Sequence, residues 1–335
     1  MKAMLWTRYG SPDGMQLREV QTPLPGDDEL LVKIRAASVT AGDCEMRRLQ
    51  LPLMLSFPMR LYAGFRKPKR IRILGQEFSG VVERVGKHVR SFQVGDEVFG
   101  TTGFGFGAYA EYLCLRGEPG VMQGVLAVKP ANLSHCEAAA VPTAGLEALH
   151  YLRRAGIKPG HRVLIIGAGG SIGTAVIQLA KSMGAEVSAV DAPQKLERLR
   201  ALGADHAIDY TREDYLMGHA AYDIIIDVVG RHSVARRLRL LKPGGMYFLA
   251  FARFSDLFLK PWVLLTGGKR LLIESSSQSG EDLLHLKNLI EQGKWKPVID
   301  KSFPLEQTAD AHRYAESGQK VGNIVITMAE HGEES

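Results

Sequence analysis

The fold class follows from one stretch, Arg162-Val163-Leu164-Ile165-Ile166-Gly167-Ala168-Gly169-Gly170-Ser171-Ile172-Gly173. An apolar strand runs into a glycine-rich turn and then into an apolar helix, which is the context that a dinucleotide-binding turn requires. Gly167 permits the tight turn and Gly173 lets the helix pack closely on the strand, while the glycines between them let the backbone approach a diphosphate. The helix start supplies N–H groups and positive dipole character for phosphate oxygens. The predicted cofactor contacts here are Gly167, Gly169, Gly170, Ser171, Ile172 and Gly173.

An acidic residue follows the second predicted strand of this region, 186–190. Asp191 lies eighteen residues beyond Gly173, where a carboxylate can bond both hydroxyls of the adenosine ribose. It favours NAD over NADP, because a carboxylate repels a 2′-phosphate. Lys195, which we include among the cofactor contacts, can offset this repulsion, as can Arg198 or Arg200. The alternative is that Asp191 only caps the helix after Pro193.

A third cofactor segment is expected where the fourth strand of this region ends. Asp227-Val228-Val229-Gly230 lies there, at the sheet edge where ligands of such folds bind. We therefore expect Val228, Val229 and Gly230 near the adenosine ribose or the nicotinamide ribose.

Alternating strands and helices surround these segments. Between residues 162 and 250 the alternation predicts a parallel, doubly wound sheet. The strands are expected at 162–166, 186–190, 206–208, 223–228 and 246–250, and the helices at 171–183, 193–202 and 232–240. Ahead of this region, Ser134 is expected to cap a single helix that continues to Ala155.

The first third of the chain has a different pattern. Short strands such as Leu30–Ala37 and Phe78–Val85 alternate with turn residues, which predicts an antiparallel, barrel-like domain. The tail, with a helix at 305–316 and a strand at 323–328, is expected to rejoin that domain. A chain of 335 residues exceeds the size at which one core usually stops growing, so two domains are expected.

The composition is that of an ordinary globular protein, with 45% apolar and 23% charged residues. Three widely separated cysteines fit reduced thiols rather than disulfides. The first residues lack the basic and apolar regions of a secretory signal, so we expect a cytoplasmic location. The most apolar window, Phe254–Gly268, is too short to span a bilayer. It is expected to roof a substrate site or to form a dimer contact.

Further motifs occur in a fixed order along the chain: Val94-Gly95-Asp96-Glu97-Val98, Gly107-Ala108-Tyr109-Ala110-Glu111-Tyr112, Ala138–Leu149, Leu202-Gly203-Ala204-Asp205, Lys242-Pro243-Gly244-Gly245 and Gly322–Thr327. With the glycine turn, they resemble the medium-chain dehydrogenase/reductase superfamily, specifically its zinc-free quinone oxidoreductase branch. The resemblance covers nearly the whole chain. It implies an α/β fold with a GroES-like, β-barrel-type catalytic domain over 1–127, completed by 276–335, and a Rossmann domain over 128–275. It also implies a homodimer.

The chain departs from the zinc-dependent members of this superfamily at each metal ligand. Thr40 stands where the first Cys would be, and Gln76 replaces the His in Gly75-Gln76-Glu77. The stretch Ala138–Gly145 contains no thiol or imidazole. Because zinc prefers Cys and His donors, we expect no zinc.

Without a metal to polarise an alcohol, reduction of an activated acceptor is favoured. A quinone or an α,β-unsaturated carbonyl compound can accept hydride from NADH or NADPH, and hydrogen-bond donors can stabilise the negative charge on its oxygen. An aldehyde or alcohol oxidoreductase is the alternative within the superfamily.

The resemblance also suggests site residues. Thr40 and Asp43 are candidate donors to the acceptor, although Asp43 can equally be a helix cap. Tyr62 can donate a proton or serve in packing, and Thr143 and Asn323 are expected at the cofactor. For Glu77 we favour an ion pair with local arginines over a proton relay.

Positive charge is concentrated in one segment, Arg47–Leu74, which carries eight basic residues and no acidic one. With Phe57, Tyr62 and Phe65 interleaved, it can bind nucleic acid or an anionic membrane surface. The alternative that we favour is a solvated loop over the active-site mouth, whose apolar residues line the acceptor pocket and whose charges face water.

Overall fold

The structure is a computed structural model, and it describes residues 1–49, 53–120, 122–212, 215–217, 221–230, 234–250, 263, 265 and 267–328. The chain forms two compact units. The first contains Met1–Thr143, Gln278–Glu291 and the chain from Ile299 onward, and the second contains Ala144–Ser277 and Gln292–Val298. The first unit therefore continues beyond residue 127, the boundary that the sequence suggests.

A parallel sheet forms the centre of the second unit. Its strands are β8 (Arg162–Ile166), β9 (Glu186–Asp191), β10 (His206–Asp209), β11 (Tyr222–Asp227), β12 (Leu241–Leu249) and β13 (Arg270–Leu272). Their order, β10-β9-β8-β11-β12-β13, runs outward from β8 in both directions. All the strands are parallel, and the direction in which successive strands are added reverses between β8 and β11. Doubly wound folds bind their ligands at this point of the sheet. The predicted Rossmann-type sheet is confirmed.

Three helices alternate with these strands: α5 (Ser171–Ser182), α6 (Leu196–Ala201) and α7 (Val234–Arg237). The predicted helix 232–240 is shorter than expected, because α7 gives way to a 3₁₀ turn at Leu238–Leu240 and residues 231–233 lie outside the described ones. Strand β12 starts at Leu241, before the predicted 246. Residues 163–166 are almost fully buried, as expected for a central parallel strand.

The first unit is built on a mostly antiparallel sheet. Its strands are β3 (Glu29–Ser38), β4 (Glu77–Val85), β5 (Glu97–Thr101), β6 (Tyr112–Arg116), β7 (Val125–Val128), β14 (Ile299–Pro304) and β15 (Asn323–Thr327), with a separate hairpin of β1 (Lys2–Trp6) and β2 (Met15–Glu19). The sheet order is β14-β15-β3-β4-β5-β7, and β6 also pairs with β3. The tail therefore rejoins the first domain, as the sequence predicted.

The helices of the first unit carry the candidate donors and the tail contacts. They are α1 (Ala41–Arg48), α2 (Leu53–Ala63), α3 (His135–Ala139), α8 (Gly280–Glu291) and α9 (Thr308–Glu316), and α4 (Pro142–Arg154) begins at the end of the unit. Arg47, on α1, is fully buried and pairs with Glu316 at the end of α9.

The prediction of one helix from Ser134 to Ala155 is wrong. Ser134 does cap α3, in a capping box with Glu137, but α3 ends at Ala139 and a second helix starts at Pro142. Proline has no N–H to donate and disfavours helical geometry in the residue before it. The helical pattern of the sequence therefore spans two helices, with Pro142 at the first position of the second.

The apolar window Phe254–Gly268 lies largely outside the described residues. In the described part of the chain, none of the helices has the length and apolar character needed to cross a membrane.

Candidate functional site

The glycine-rich turn connects β8 to α5. Gly167 has a φ of +82°, a left-handed conformation that favours glycine. At Gly173 a Cβ atom would lie 2.5 Å from the carbonyl oxygen of Ala168, so only glycine lets α5 approach the turn this closely. Gly170 is the N-cap of α5 and makes no side-chain cap. The N–H groups of a helix start have no carbonyl partner in their own helix, so this end suits an anionic ligand.

Asp191 and Lys195 form a buried ion pair beside the turn. Lys195 Nζ lies 3.2 Å from Asp191 Oδ1, and the two side chains are 9% and 10% exposed. Asp191 also accepts the N–H groups of Gly169, at 2.7 Å, and Ala192, at 2.8 Å. The 3₁₀ turn Pro193–Lys195 has Ala192 as its N-cap and no side-chain cap. The structure thus does not support the alternative that Asp191 caps this turn.

The Asp191–Lys195 pair leaves no room for a side chain at Gly169. A Cβ atom at this position would lie 2.6 Å from Lys195 Cδ and 3.0 Å from Asp191 Oδ2. The ion pair therefore occupies the space beside Gly169, whereas a Cβ at Gly170 would meet only the carbonyl oxygen of Gly167, at 3.5 Å. The open side of the turn is the side of Gly170.

Asp227 fixes the segment that follows β11. Its side chain is fully buried, and Oδ1 accepts the N–H groups of Val229 and Gly230, each at 3.0 Å. Oδ2 accepts the Tyr247 hydroxyl at 2.6 Å and pairs with the guanidinium of Arg237, which is also fully buried. This carboxylate therefore holds the loop to the strand that it leaves.

The loop after β11 packs against the glycine turn. A Cβ at Gly167 would lie 2.5 Å from Val229 Cγ2, and Val228 N–H donates to the carbonyl oxygen of Ile166 at 3.0 Å. The second unit thus brings together most of the predicted cofactor residues: Gly167, Gly169, Gly170, Ser171, Ile172, Gly173, Asp191, Lys195, Val228, Val229 and Gly230.

The other two predicted cofactor residues belong to the first unit. Thr143 is the second residue of α4. Asn323 is buried at the start of β15. Their contact with a cofactor stays a prediction.

Thr40 and Asp43 form a capping box at the start of α1. Thr40 is the N-cap; its Oγ1 accepts the Asp43 N–H at 3.1 Å and donates to Asp43 Oδ2 at 2.7 Å. Asp43 Oδ2 also accepts the Thr40 N–H at 3.0 Å. Burial raises the pKa of Asp43 to about 6, although these hydrogen bonds oppose the shift. The helix thus begins at Ala41 with Thr40 as its N-cap, and Asp43 takes part in the capping box from the third helical position rather than as the cap itself. A role for the half-buried Thr40 hydroxyl towards an acceptor stays a prediction.

Glu77 is a second buried carboxylate of the first unit, 2% exposed. It accepts a hydrogen bond from Ser38 Oγ and another from the N–H of Thr143, at 2.5 Å. Burial raises the pKa of Glu77 to about 7, and the charge of Asp43 adds to the shift. The expected ion pair with local arginines is wrong: the described contacts of Glu77 are the hydroxyls of Ser38 and Thr143 and the N–H of Thr143.

The Tyr62 hydroxyl is hydrogen-bonded to the backbone. It donates to the carbonyl oxygen of Phe104 at 3.1 Å, and the guanidinium of Arg70 lies 4.7 Å from the centre of its ring. These contacts favour the packing role that the sequence left as an alternative to proton donation.

The positions that correspond to the metal ligands of zinc-dependent relatives hold other residues, and these make other contacts. Gln76 Nε2 donates to the carbonyl oxygen of Gly103 at 3.0 Å, and Thr40 belongs to the capping box. Across the described residues, no group of three or more His, Cys, Asp or Glu side chains is arranged to hold a metal ion.

Sequence reasoning missed the partners of two of the buried acids, Asp227 and Glu77. Arg237 and Tyr247 lie ten and twenty residues beyond Asp227, and Ser38 lies on a different strand from Glu77. A signal existed for Asp227, because an acid at the end of an apolar parallel strand is buried and must find donors. The sequence does not say which donors those are.

Three family models match the chain. The model described as the alcohol dehydrogenase GroES-like domain matches residues 26–129, and the one described as zinc-binding dehydrogenase matches 202–326. A third, the C-terminal domain of alanine dehydrogenase/PNT, matches residues 150–231, which contain the glycine turn.

Individual relatives match over nearly the whole chain. A tomato (Solanum lycopersicum) protein named 2-methylene-furan-3-one reductase is 35% identical, over 97% of this chain and 79% of its own. An Arabidopsis thaliana protein named NADPH-dependent alkenal/one oxidoreductase, chloroplastic, is 31% identical with the same coverage. The solved structure of a quinone oxidoreductase from Coxiella burnetii superimposes with a TM-score of 0.86 at 30% identity, covering 98% of this chain and 99% of the other.

Proposed function

The chain belongs to the medium-chain dehydrogenase/reductase superfamily, among its quinone and alkenal oxidoreductases, and from this premise we propose that it reduces an α,β-unsaturated carbonyl compound or a quinone with NADH or NADPH. The observation that carries the proposal is the turn between β8 and α5, with its open Gly170 side and its uncapped helix start. The names of the two plant relatives support an enone as the acceptor to test first.

The residues of the second unit fit a dinucleotide. A bound nicotinamide cofactor supplies a hydride. The N–H groups at the start of α5 would bind its diphosphate, and Asp191 keeps lone pairs for the ribose hydroxyls beyond the three contacts described. Asp227 holds Val229 and Gly230 in place, so the loop beside the turn is preorganised.

The reduction of an enone adds one hydride and one proton across its carbon–carbon double bond. A hydride adds to the β-carbon, the electron pair of the double bond moves towards the carbonyl oxygen, and a proton from the medium completes the saturated ketone at the α-carbon. In the quinone reaction one hydride and one proton give the hydroquinone. In both, the protein must offer a hydrogen bond to an oxygen that gains negative charge.

We assign this hydrogen bond to Thr40, with Asp43 as a positioning residue. While the Asp43 carboxylate is ionised, it accepts the Thr40 hydroxyl hydrogen over 2.7 Å. Once Asp43 is protonated, it can donate to Thr40 Oγ1 instead, and the hydroxyl hydrogen is released for the acceptor. The pKa of Asp43, raised to about 6 by burial, puts this exchange close to neutral pH.

The coenzyme preference that we propose is for NADH, with NADPH also accepted. Asp191 disfavours a 2′-phosphate, but Lys195 lies 3.2 Å from it and can turn towards that phosphate. A relative that is 31% identical is named as NADPH-dependent, which supports the use of both. We also propose that catalysis needs no zinc, because the ligand positions hold Thr40 and Gln76.

The test follows a deuterium label from the cofactor. NADH and NADPH carrying deuterium at C4 of the nicotinamide are incubated with an enone, a quinone and a simple aldehyde in the presence of a metal chelator. Label at the β-carbon of the saturated ketone supports the proposal. Label at the carbonyl carbon would instead show an aldehyde or alcohol oxidoreductase, and loss of activity with the chelator would refute the metal-free mechanism.

A further inference from the structure

Large apolar side chains on one face of α2 are exposed to solvent. Phe57 is 53% exposed and Leu61, one helical turn later, is 66% exposed, while Phe65, just after the helix, is 59% exposed. The other face of α2 is already occupied, because Met59, Tyr62 and Ala63 pack on the core of the first unit. The exposed residues therefore form a second apolar face that the fold does not bury.

Two further exposed residues adjoin this face. The Tyr62 hydroxyl donates to the carbonyl oxygen of Phe104, and Phe104 N–H donates to that of Met122. Phe104 is 45% exposed and Met122 is 65% exposed. We call this set the apolar patch: Phe57, Leu61, Phe65, Phe104 and Met122. It gathers five of the twelve large apolar side chains that are exposed in the described chain, whereas isolated exposed apolar residues would need no explanation.

Positive charge lies in the same segment, Arg47–Leu74. Much of this segment is helical, in the end of α1 and in α2, and not the solvated loop that the sequence favoured. Of its eight basic residues, Arg47 is buried and Arg48 pairs with Glu316. Five others are exposed and form no salt bridge with an acid in the described part of the chain: Arg66, Lys67, Lys69, Arg70 and Arg72. No acidic residue lies between Arg47 and Leu74, so the segment contains no counter-charge of its own.

We propose that the apolar patch and these basic residues dock the protein on an anionic membrane surface. Apolar side chains that enter the boundary between headgroups and acyl chains, with cations at the headgroup level, are the features of an interfacial anchor. Lysine and arginine near such a surface add attraction that salt screens. The interaction is peripheral, in keeping with the lack of a described helix that could cross a membrane.

The apolar patch suits a lipid surface throughout, because its three phenylalanine rings can lie among acyl chains as well as against bases, and its other two side chains have no ring to stack on a base. Single-stranded nucleic acids bind through aromatic rings on which bases stack. The Tyr62 ring is covered by the Arg70 guanidinium and its hydroxyl is bonded to the backbone. Leu61 and Met122 offer no ring, but they can lie among acyl chains. The proposal does not rest on the identity of the hydride acceptor.

The experiment is sedimentation of the full chain with vesicles. Phosphatidylcholine vesicles are compared with vesicles that also contain phosphatidylserine, at low and at physiological salt. We expect binding to the anionic vesicles that decreases steeply as salt rises, and little binding to the neutral ones. Equal binding to both kinds, or binding to neither, would overturn the proposal.

Two variants and their matched controls locate the surface. The F57S/L61S/F65S variant and the R66E/K67E/K69E variant should each weaken vesicle binding by about tenfold or more. The controls, L24S/V94S/L284S and R18E/R84E/R90E, change the same number of side chains and the same charge at positions that are exposed elsewhere in the same unit, and they should bind as the parent does. Unchanged thermal unfolding and NADH binding show that each variant is folded.

Two results would assign the patch to another occupant and refute the membrane proposal. One is a dimer that the triple serine variant dissociates, with no vesicle binding by the parent. The other is salt-sensitive binding to single-stranded RNA under conditions in which anionic vesicles do not bind.

Discussion

Asp227 connects packing to cofactor binding through four hydrogen bonds. The Asp227→Asn substitution leaves the fully buried Arg237 without a counter-charge, and breaking a buried pair in this way costs about 3 to 5 kcal/mol. Tyr247→Phe removes one hydroxyl from the same carboxylate and should cost about 1 kcal/mol. Urea unfolding measures the loss of stability in both variants. Titration with NADH should show weaker binding, and more so for Asp227→Asn than for Tyr247→Phe, because the Val229–Gly230 loop loses its anchor. Full NADH affinity in a destabilised Asp227→Asn variant would contradict the anchoring role.

The Asp191–Lys195 pair should set the coenzyme preference. Lys195→Ala removes the cation that offsets Asp191, so kcat/KM for NADPH should fall on the order of tenfold, the worth of a charge-assisted hydrogen bond, while that for NADH changes little. Asp191→Asn should change the ratio in the opposite direction. Lys158→Ala, a control at an exposed position ahead of β8, should leave the ratio as it is. Equal losses with both coenzymes would mean that Lys195 supports the fold rather than discriminates between them.

Thr40 and Asp43 make a separate prediction about pH. Thr40→Val should lower kcat by about a hundredfold, as loss of an oxyanion donor does, whereas Thr40→Ser keeps the hydroxyl and most of the activity. In the parent, kcat should rise as the pH falls through about 6, because protonated Asp43 releases the Thr40 hydroxyl. Asp43→Asn offers an amide donor at every pH, so its profile should be flat in that range. A parent profile that is also flat would exclude Asp43 as the titrating group.

Among the elements, strand β4 carries the least expected feature, a carboxylate buried at its first residue. The pKa of Glu77 is raised from its ordinary value of 4.5 to about 7, so the folded protein binds this proton more tightly than the unfolded chain. The resulting stability is fully present below pH 4.5 and is lost as the pH rises through 7; a shift of this size corresponds to about 3 kcal/mol. The melting temperature should therefore fall between pH 5 and pH 8, and Glu77→Gln should reduce that change. A variant with the parent's full pH dependence would show that another group titrates.

The elements that a sequence could predict are those with a strong local pattern. The alternation from residue 162 to 250 and the glycine turn are confirmed, because strand, turn and helix each follow from their own residues. The prediction of a single helix from Ser134 to Ala155 is wrong at Pro142. Proline disfavours helical geometry in the residue before it, but the long helical pattern of the sequence outweighed this signal. The partners of Glu77 were beyond reach, because Ser38 and Thr143 meet it only through the pairing of β3 with β4 and the position of α4. No pattern within one segment encodes such contacts.

At the scale of the whole molecule, the two units separate two buried acids with raised pKa values from most of the predicted cofactor residues. Asp43 and Glu77 lie in the first unit, whereas the glycine turn, Asp191 and Asp227 lie in the second. A coenzyme that binds only the folded second unit stabilises it by about 2.7 kcal/mol at a hundred times its dissociation constant. Scanning calorimetry of the full chain should thus resolve one transition that NADH raises and another that a change from pH 5 to pH 8 lowers. Glu77→Gln should reduce only the second response, and Asp227→Asn should reduce only the first. A single transition that moves with both treatments in the parent and in both variants would mean that the units unfold as one cooperative body.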